Sequence, residues 1–534
     1  MISAEAVSAS GARTGRGADS GGFRTRWALP LSVAGGLATF ASFPPVDAWP
    51  LAVLGPALLA VALAGRSLRG SFGCGLAFGF ALFVPLLSWL VNEAWYAWAA
   101  LGGAEAVIFA VLAVGQRMLL RLPFWPAAVA GWWVLYEGIR DRWLYAFPWG
   151  RLAMSQSVAP DVRWVAVGGV PLLSFLIALA GAMLARAALA QLASGPSPSA
   201  RERLGAGLAA VVTAGLVLAG GLLPVDPTGG APTAQVAAIQ GNVPRARNLP
   251  QQLSSSQVTQ NHVEATLTLA AQVRAGRLAD PDLVIWPENS TDNDPFQNPS
   301  VYAELSAAVA AVGRPILVGE VLNDPRRNVG QLWVPGRGPT AAYVKRQLVP
   351  FGEYIPFRGV IAGFSNLPSL QPIDFTPGHR AVVFAVGGIR LGDVICYEVG
   401  FDQLVRSEVT AGANLLAVQS NDADFEIDGQ LGETEQQTAM ARIRAVESDR
   451  AVVYASTTGE STIIAPDGGL IAHSGVWQRA ILDARVPLVS YRTLADRVGA
   501  WPEYVIVMLT VLALAWAVRR TWSSRRRRTR TEIA

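Results

Sequence analysis

Residues 393–401 read DVICYEVGF, an apolar run of strand length that closes on a cysteine, a tyrosine and a glutamate. Two other stretches end in the same way: LVIWPENS at 283–290, which brings in Glu288, and YVKRQLVPFGEY at 343–354, which brings in Lys345 and Glu353. Around them, between Pro224 and Pro502, short β-like runs (VAAIQGN, PILVGEV, NLLAVQSND, AVVYAST) alternate with stretches of helical periodicity (SQVTQNHVEATLTLAAQVRAG, SVYAELSAAVAAVG, ETEQQTAMARIRAVESDR). This alternation predicts an α/β domain in which helices cover sheet. Catalytic side chains in such domains gather at strand ends, so these three endings mark the expected site.

The rest of the chain has a different texture. Of 534 residues 51% are hydrophobic and only 15% charged, and the apolar ones dominate 27–224 and 503–518. A span needs about 20 apolar residues. Eight spans are expected, near 27–43, 49–65, 71–92, 95–116, 123–139, 164–185, 204–224 and 503–518. The expected organisation is therefore a basic N-terminal tail (1–26), a helical membrane domain (27–224), an α/β catalytic domain (225–502), a last span (503–518) and a basic tail (519–534). The N-terminal stretch shows no convincing cleavage site and is read as retained.

Loop arginines set the orientation. The connections after spans two, four and six hold Arg66 and Arg69, Arg117 and Arg121, and Arg186, Arg201 and Arg203, whereas those after spans one and three hold none. By the positive-inside rule both ends lie in the cytoplasm and 225–502 faces outward. One loop dissents: 140–163 would lie outside yet carries Arg140, Arg142, Arg151 and Arg163, mixed with Asp141 and Asp161. Its aromatic run, WLYAFPWG, suggests an interfacial segment folded back on the membrane, a candidate border for lipid entry. Glu93, Glu105 and Glu137 are functional suspects if buried within spans. The terminal arginine runs lie beside apolar segments and are read as membrane flanks, with no nucleic-acid partner.

The chemistry is narrowed by what is absent. Cys74 sits in an apolar span and Cys396 in the polar region, so no disulfide is expected. His262, His379 and His473 are isolated, so no metal site, no cofactor and no Cys–His pair is expected. A cysteine nucleophile needs a base and a positive neighbour, which leaves a carboxylate and an ammonium. Lys345 is the single lysine beside 42 arginines. A compact ammonium differs from a guanidinium fork wherever shape as well as charge matters. Taken singly, each residue has a bland reading: a buried small hydrophobe, a turn glutamate, a surface lysine.

WPE, the lysine followed by LVPFGEY, and ICYE together resemble the nitrilase superfamily. With LVPFGEYIP, QGN near 240, SND at 420–422, QTAMARIRAVES and spans on both sides, the chain from about 27 to 518 is similar to the apolipoprotein N-acyltransferase family. The resemblance implies an αββα nitrilase-like sandwich outside the cytoplasmic membrane, with Glu288 as general base, Lys345 as oxyanion stabiliser and Cys396 as nucleophile. It also implies that Glu353, Tyr397 and Glu398 support the site. The implied partners are a phospholipid acyl donor and a diacylglyceryl apolipoprotein acceptor. Leu249 stands where family members carry a tryptophan, and Asp424 where an aromatic is common. Two alternatives remain: a membrane-anchored amidase or nitrilase acting on a small substrate, and a scaffold for another membrane enzyme.

Overall fold

The structure, a computed structural model, describes residues 19–533 apart from 143–144, 195–199, 224–229, 245–255, 364–370, 424 and 426–431. Leu249, Asp424, residues 1–18 and most of the 225–232 linker thus lie outside the described residues.

Seven apolar helices open the chain: α1 (Asp19–Ala41), α2 (Leu51–Leu63), α3 (Leu68–Leu86), α4 (Trp95–Leu119), α5 (Trp125–Arg142), α6 (Val165–Ser194) and α7 (Ala200–Leu222). Small residues at the crossings let their backbones approach closely, the packing that helices in lipid favour. A Cβ added at Gly36 would collide with the Phe78 carbonyl, and one at Gly79 with the backbone of Ala106. The turn of α6 at Gly168 and Gly169, where Gly169 has φ +72°, breaks its helical path just before Pro171.

The α/β part follows. Its strands are β1 (Thr233–Gln240), β2 (Leu283–Ile285), β3 (Ile316–Asn323), β4 (Arg326–Val334), β5 (Gly338–Val344), β6 (Val383–Val386), β7 (Ile389–Ile395), β8 (Leu415–Ser420), β9 (Val452–Ser456), β10 (Thr462–Ile464), β11 (Leu470–His473) and β12 (Ala480–Pro487). The helices are α8 (Gln257–Arg274), α9 (Pro299–Val312), α10 (Arg358–Ile361), α11 (Asp402–Thr410), α12 (Gly432–Ser448) and α13 (Leu494–Val498). The sequence sets their ends: α9 starts on the Asn298 side chain, which accepts from Ser300 N, with Pro299 in the first turn, and stops at Gly313 with φ +67°. A last helix, α14 (Trp501–Ile533), returns to the apolar bundle and packs on α5.

Two six-stranded sheets form, ordered β12-β1-β2-β3-β4-β5 and β11-β10-β9-β8-β7-β6. Each has a parallel centre, β1-β2-β3 and β7-β8-β9, with antiparallel flanks. Strand alternation then builds four layers. Ala237, Ile239, Val284, Trp286, Ile316 and Val318 pack with α8 and α9. Their neighbours Val236, Ala238, Leu283, Ile285 and Leu317 face the second sheet, whose other side carries α11 and α12. The result is the αββα sandwich.

The eight apolar helices stand where eight spans are expected, and among the described residues four stretches are both long and apolar enough to cross a membrane: Leu68–Leu86, Trp95–Leu119, Pro160–Leu192 and Trp501–Arg520. Two of the others fall short for visible reasons: α2 has 13 residues, and α5 ends in the charged run EGIRDR. Large apolar side chains point outward along α14 (Val505, Met508, Leu509, Leu512) and α7 (Leu204, Leu208, Val211, Leu218), a surface suited to lipid. The chain is a multi-pass membrane protein. One apolar core runs unbroken from these helices through Phe147, Trp149 and Leu152 into β7–β10.

Candidate active site

Three segments that the sequence singled out converge at the carboxyl ends of strands. Glu288 follows β2, Cys396 follows β7, and Lys345 follows β5; all are buried, at 4%, 7% and 1% exposure. The Lys345 ammonium donates to Glu288 Oε1 at 2.9 Å and to Glu353 Oε1 at 3.1 Å. Asn328, on β4, donates through Nδ2 to the same two oxygens at 2.6 and 2.9 Å. Two carboxylates thus share two donors. The second oxygen of each is held by backbone: Asn421 N reaches Glu288 Oε2 at 3.1 Å, and Val349 N reaches Glu353 Oε2 at 2.8 Å. Gly319 lets β3 run against the β2 ending, since a Cβ there would strike the Pro287 carbonyl.

Cys396 opens a 3-10 turn (Cys396–Gly400) and has φ +53°, a left-handed conformation costly for a non-glycine residue, of order 1–3 kcal/mol. Such strain persists only when neighbours over-determine it. Glu398 is one of them: its carboxylate accepts from Ile395 N (2.8 Å), Arg346 N (2.7 Å), Gln347 N (3.0 Å) and Tyr343 OH (2.8 Å). Glu398 therefore ties the cysteine turn to the lysine segment and touches neither Lys345 nor Cys396 in these bonds. Tyr397 turns to the membrane helices: its hydroxyl donates to Ala146 O at 2.6 Å and its ring stacks on Trp149 at 5.6 Å.

Burial dominates the electrostatics. It pushes the Glu288 carboxyl up, with Lys345 pulling back and Glu353 adding to the rise. Burial works against the Lys345 charge, but Glu288 and Glu353 outweigh it and hold the ammonium well above the usual lysine range. Burial and then Glu288 push the Cys396 thiol well up, against Lys345. Burial thus favours the neutral thiol of Cys396 and the neutral Glu288 carboxyl, while the two carboxylates favour the Lys345 ammonium. Among the described residues no cluster of three or more His, Cys, Asp or Glu could hold a metal ion.

The dissenting arginines of 140–163 have partners. Arg140 pairs with Glu105, and Arg142 with Glu503 at the start of α14. Arg151 forms a two-pronged bond with Asp402, at 2.9 and 3.0 Å, with Glu137 and Asp141 behind it at 3.8 and 3.7 Å. Arg163 donates to the carbonyls of Gly221 and Leu223. The segment 145–151 is thus not simply an interfacial fold-back, because it docks on the cysteine turn. Arg444, from α12, completes the clamp by bonding Asp402 (2.8 Å) and the carbonyls of Val399 (2.8 Å) and Gly400 (2.9 Å). Glu105 and Glu137 are accounted for by these ion pairs.

Sequence reading singled out neither Asn328 nor Asp402, and took Arg151 only as a loop charge. Asn328 lies mid-strand in RRNVGQLWV, which carries no motif; Arg444 lies inside the quoted QTAMARIRAVES, where only the whole string was informative.

Two family models match this chain. Residues 235–496 match the carbon-nitrogen hydrolase family and residues 35–183 the apolipoprotein N-acyltransferase N-terminal domain. The fold and this match define a carbon-nitrogen hydrolase domain built onto membrane helices. Proteins named apolipoprotein N-acyltransferase align along nearly the whole chain. The one from Mycolicibacterium smegmatis is 37% identical over 92% of this chain and 85% of its own length. That from Azotobacter vinelandii is 32% identical over 93% and 95%. The chain belongs to the apolipoprotein N-acyltransferase family. Among solved structures, an amidase of the nitrilase superfamily from Nesterenkonia AN1 is 19% identical, with TM-score 0.37 over 49% of this chain and 93% of that one.

Proposed function

We propose that this chain is an apolipoprotein N-acyltransferase working through Glu288, Lys345 and Cys396. The observation that carries the residue assignment is the single ammonium of Lys345 held between two buried carboxylates beside a strained, buried cysteine. In the first half-reaction Glu288 takes the thiol proton and the sulfur attacks the ester carbonyl of a phospholipid acyl chain. A C–S bond forms, the oxyanion faces the Lys345 ammonium and the Tyr397 N–H, and the ester C–O bond then breaks. The departing alkoxide takes the proton back from Glu288 and leaves as lysophospholipid. In the second, the α-amine of a diacylglyceryl-cysteine attacks the thioester, Glu288 receives the amine proton, the C–S bond breaks as an amide forms, and the expelled thiolate regains that proton from Glu288. Splitting the transfer into two easier steps is what covalent catalysis provides.

Glu353 and Asn328 hold the lysine in place, and Glu398 fixes the turn. We assign 27–224 and 503–518 to the cytoplasmic membrane and 225–502 to its outer face, on the pattern of loop arginines. Against a mere anchor stands the docking of Ala146, Trp149 and Arg151 on the segment that begins with Cys396. The test is intact-protein mass spectrometry after incubation with phospholipid alone. A gain of one acyl chain on Cys396, discharged by a diacylglyceryl peptide, is the expected result. Release of free fatty acid with no acylated peptide would favour a hydrolase instead.

A further inference from the structure

The triad leaves one neighbour of the sulfur unexplained. Gln437, on α12, places Nε2 3.6 Å from Cys396 Sγ in hydrogen-bonding geometry. The same nitrogen donates to the carboxylate of Glu433, one turn earlier on α12. An amide NH₂ carries two hydrogens, so both acceptors can be served at once. The Glu433 carboxylate favours this orientation of the amide, because a flipped side chain would set its oxygen against that carboxylate. On its other side Oε1 lies 3.3 Å from Ser420 Oγ and 3.4 Å from Tyr454 OH, hydroxyl groups that also bond Asp422. Gln437 is itself buried.

The charges around the sulfur explain why a neutral donor matters there. Glu288 faces it from the end of β2, Glu433 from α12 and Asp422 from the end of β8, and all three disfavour a thiolate. Lys345, at the end of β5, favours it, but its ammonium is also bonded to Glu288 and Glu353. A fixed N–H on the α12 side adds stabilisation without adding charge.

We propose that Gln437 is a further catalytic residue, whose side-chain N–H donates to the Cys396 sulfur and stabilises it as a thiolate. With the two-step transfer proposed above, on which this part rests, the bond serves twice: as the nucleophile forms, and as the same thiolate is expelled by the amine. A better-stabilised thiolate is the better leaving group.

The test is the pH dependence of Cys396 alkylation by iodoacetamide, followed by peptide mapping in the full-length protein held in phospholipid-free detergent micelles. Hydrogen bonds to charged groups are worth about 1.5–3 kcal/mol, so removing the donor in Gln437→Met is expected to move the rate profile up by about one pH unit or more. Near neutral pH the alkylation rate then falls on the order of tenfold. Gln437→His, which can offer a ring N–H, is expected to recover part of the shift. A Gln437→Met profile that overlays the wild type, or one lowered equally at every pH, would overturn the proposal, since a merely structural role changes access and leaves the midpoint alone. Should Gln437→Met fail to fold, Gln437→Asn withdraws the amide by one methylene and is judged by the same midpoint. Alkylation needs no lipid, so a wild type that forms no acyl-enzyme would sink the acyltransferase reading while leaving this hydrogen bond to be judged on its own profile.

Discussion

Lys345→Arg is expected to give a folded protein whose acyl-enzyme forms at least about a hundredfold more slowly, the cost of about 3 kcal/mol that follows loss of one oxyanion donor. The structure gives the substitution two opposed effects. Positive charge is kept between Glu288 and Glu353, so neither carboxylate is left buried and uncompensated, and folding survives. The shape is not kept. Nζ sits in a fully buried slot shared with the Asn328 amide, which occupies the other approach to the same two oxygens. A planar guanidinium lays its N–H bonds flat onto carboxylates. It would displace Asn328 or the thiol and aim its donors at Glu288 and Glu353, leaving none for the oxyanion. The rate of acyl gain on Cys396 by mass, with a thermal melt as the folding control, decides it. Turnover within a few-fold of wild type would show that charge alone suffices at this position. That a chain so rich in arginine keeps its one lysine here is then a matter of geometry.

Much of this site could be read from the sequence because of where its residues lie. Parallel central strands are buried on both faces and show as unbroken apolar runs, as in LLAVQS of β8 and VVYAS of β9. When such a run stops at an ionisable residue, as at Glu288 or Cys396, the break is visible. The antiparallel flanks are harder: β4 reads RRNVGQLWV and β5 reads GPTAAYV, mixtures that look like loop. Asn328 was lost with β4. Gln437 was hidden differently, since nothing in a helical glutamine announces that a sulfur will face it. Length and hydropathy also say little about α5, whose Arg140 and Asp141 are buried beside Glu105 and Arg151.

That pairing is also where the loop-charge count and the structure part company. Counting arginines assumes that each lies in water, whereas Arg151 and Asp402 are both buried and bonded in a two-pronged geometry. Removing one partner of a buried pair typically costs 3–5 kcal/mol. Arg151→Met is expected to fall near the lower end, about 3 kcal/mol, because Arg444 still neutralises Asp402 while Glu137 and Asp141 lose their cation. Replacing Asp402 as well, as in Arg151→Met with Asp402→Leu, is not expected to restore that loss, since Arg444 then loses a partner while Glu137 and Asp141 stay without their cation. The pH dependence has a definite sign. Burial works against the Asp402 charge, yet Arg151 and Arg444 overcome it and hold the carboxyl below its ordinary value. A group depressed in the folded state contributes stability that is present above the unfolded value, near 3.9, and is lost as pH falls through the folded one. The Asp402 share of the Arg151→Met deficit should therefore be flat from about pH 5 upward and shrink only in acid. Because Asp402 follows the turn that begins at Cys396, and Arg444 bonds both Asp402 and that turn, the variant should also lose acylation rate out of proportion to its folded fraction. Melting midpoints and acyl gain, measured together across pH, separate the two effects. A variant as stable and as active as wild type would mean that the membrane helices merely carry the catalytic domain and do not help to hold its nucleophile.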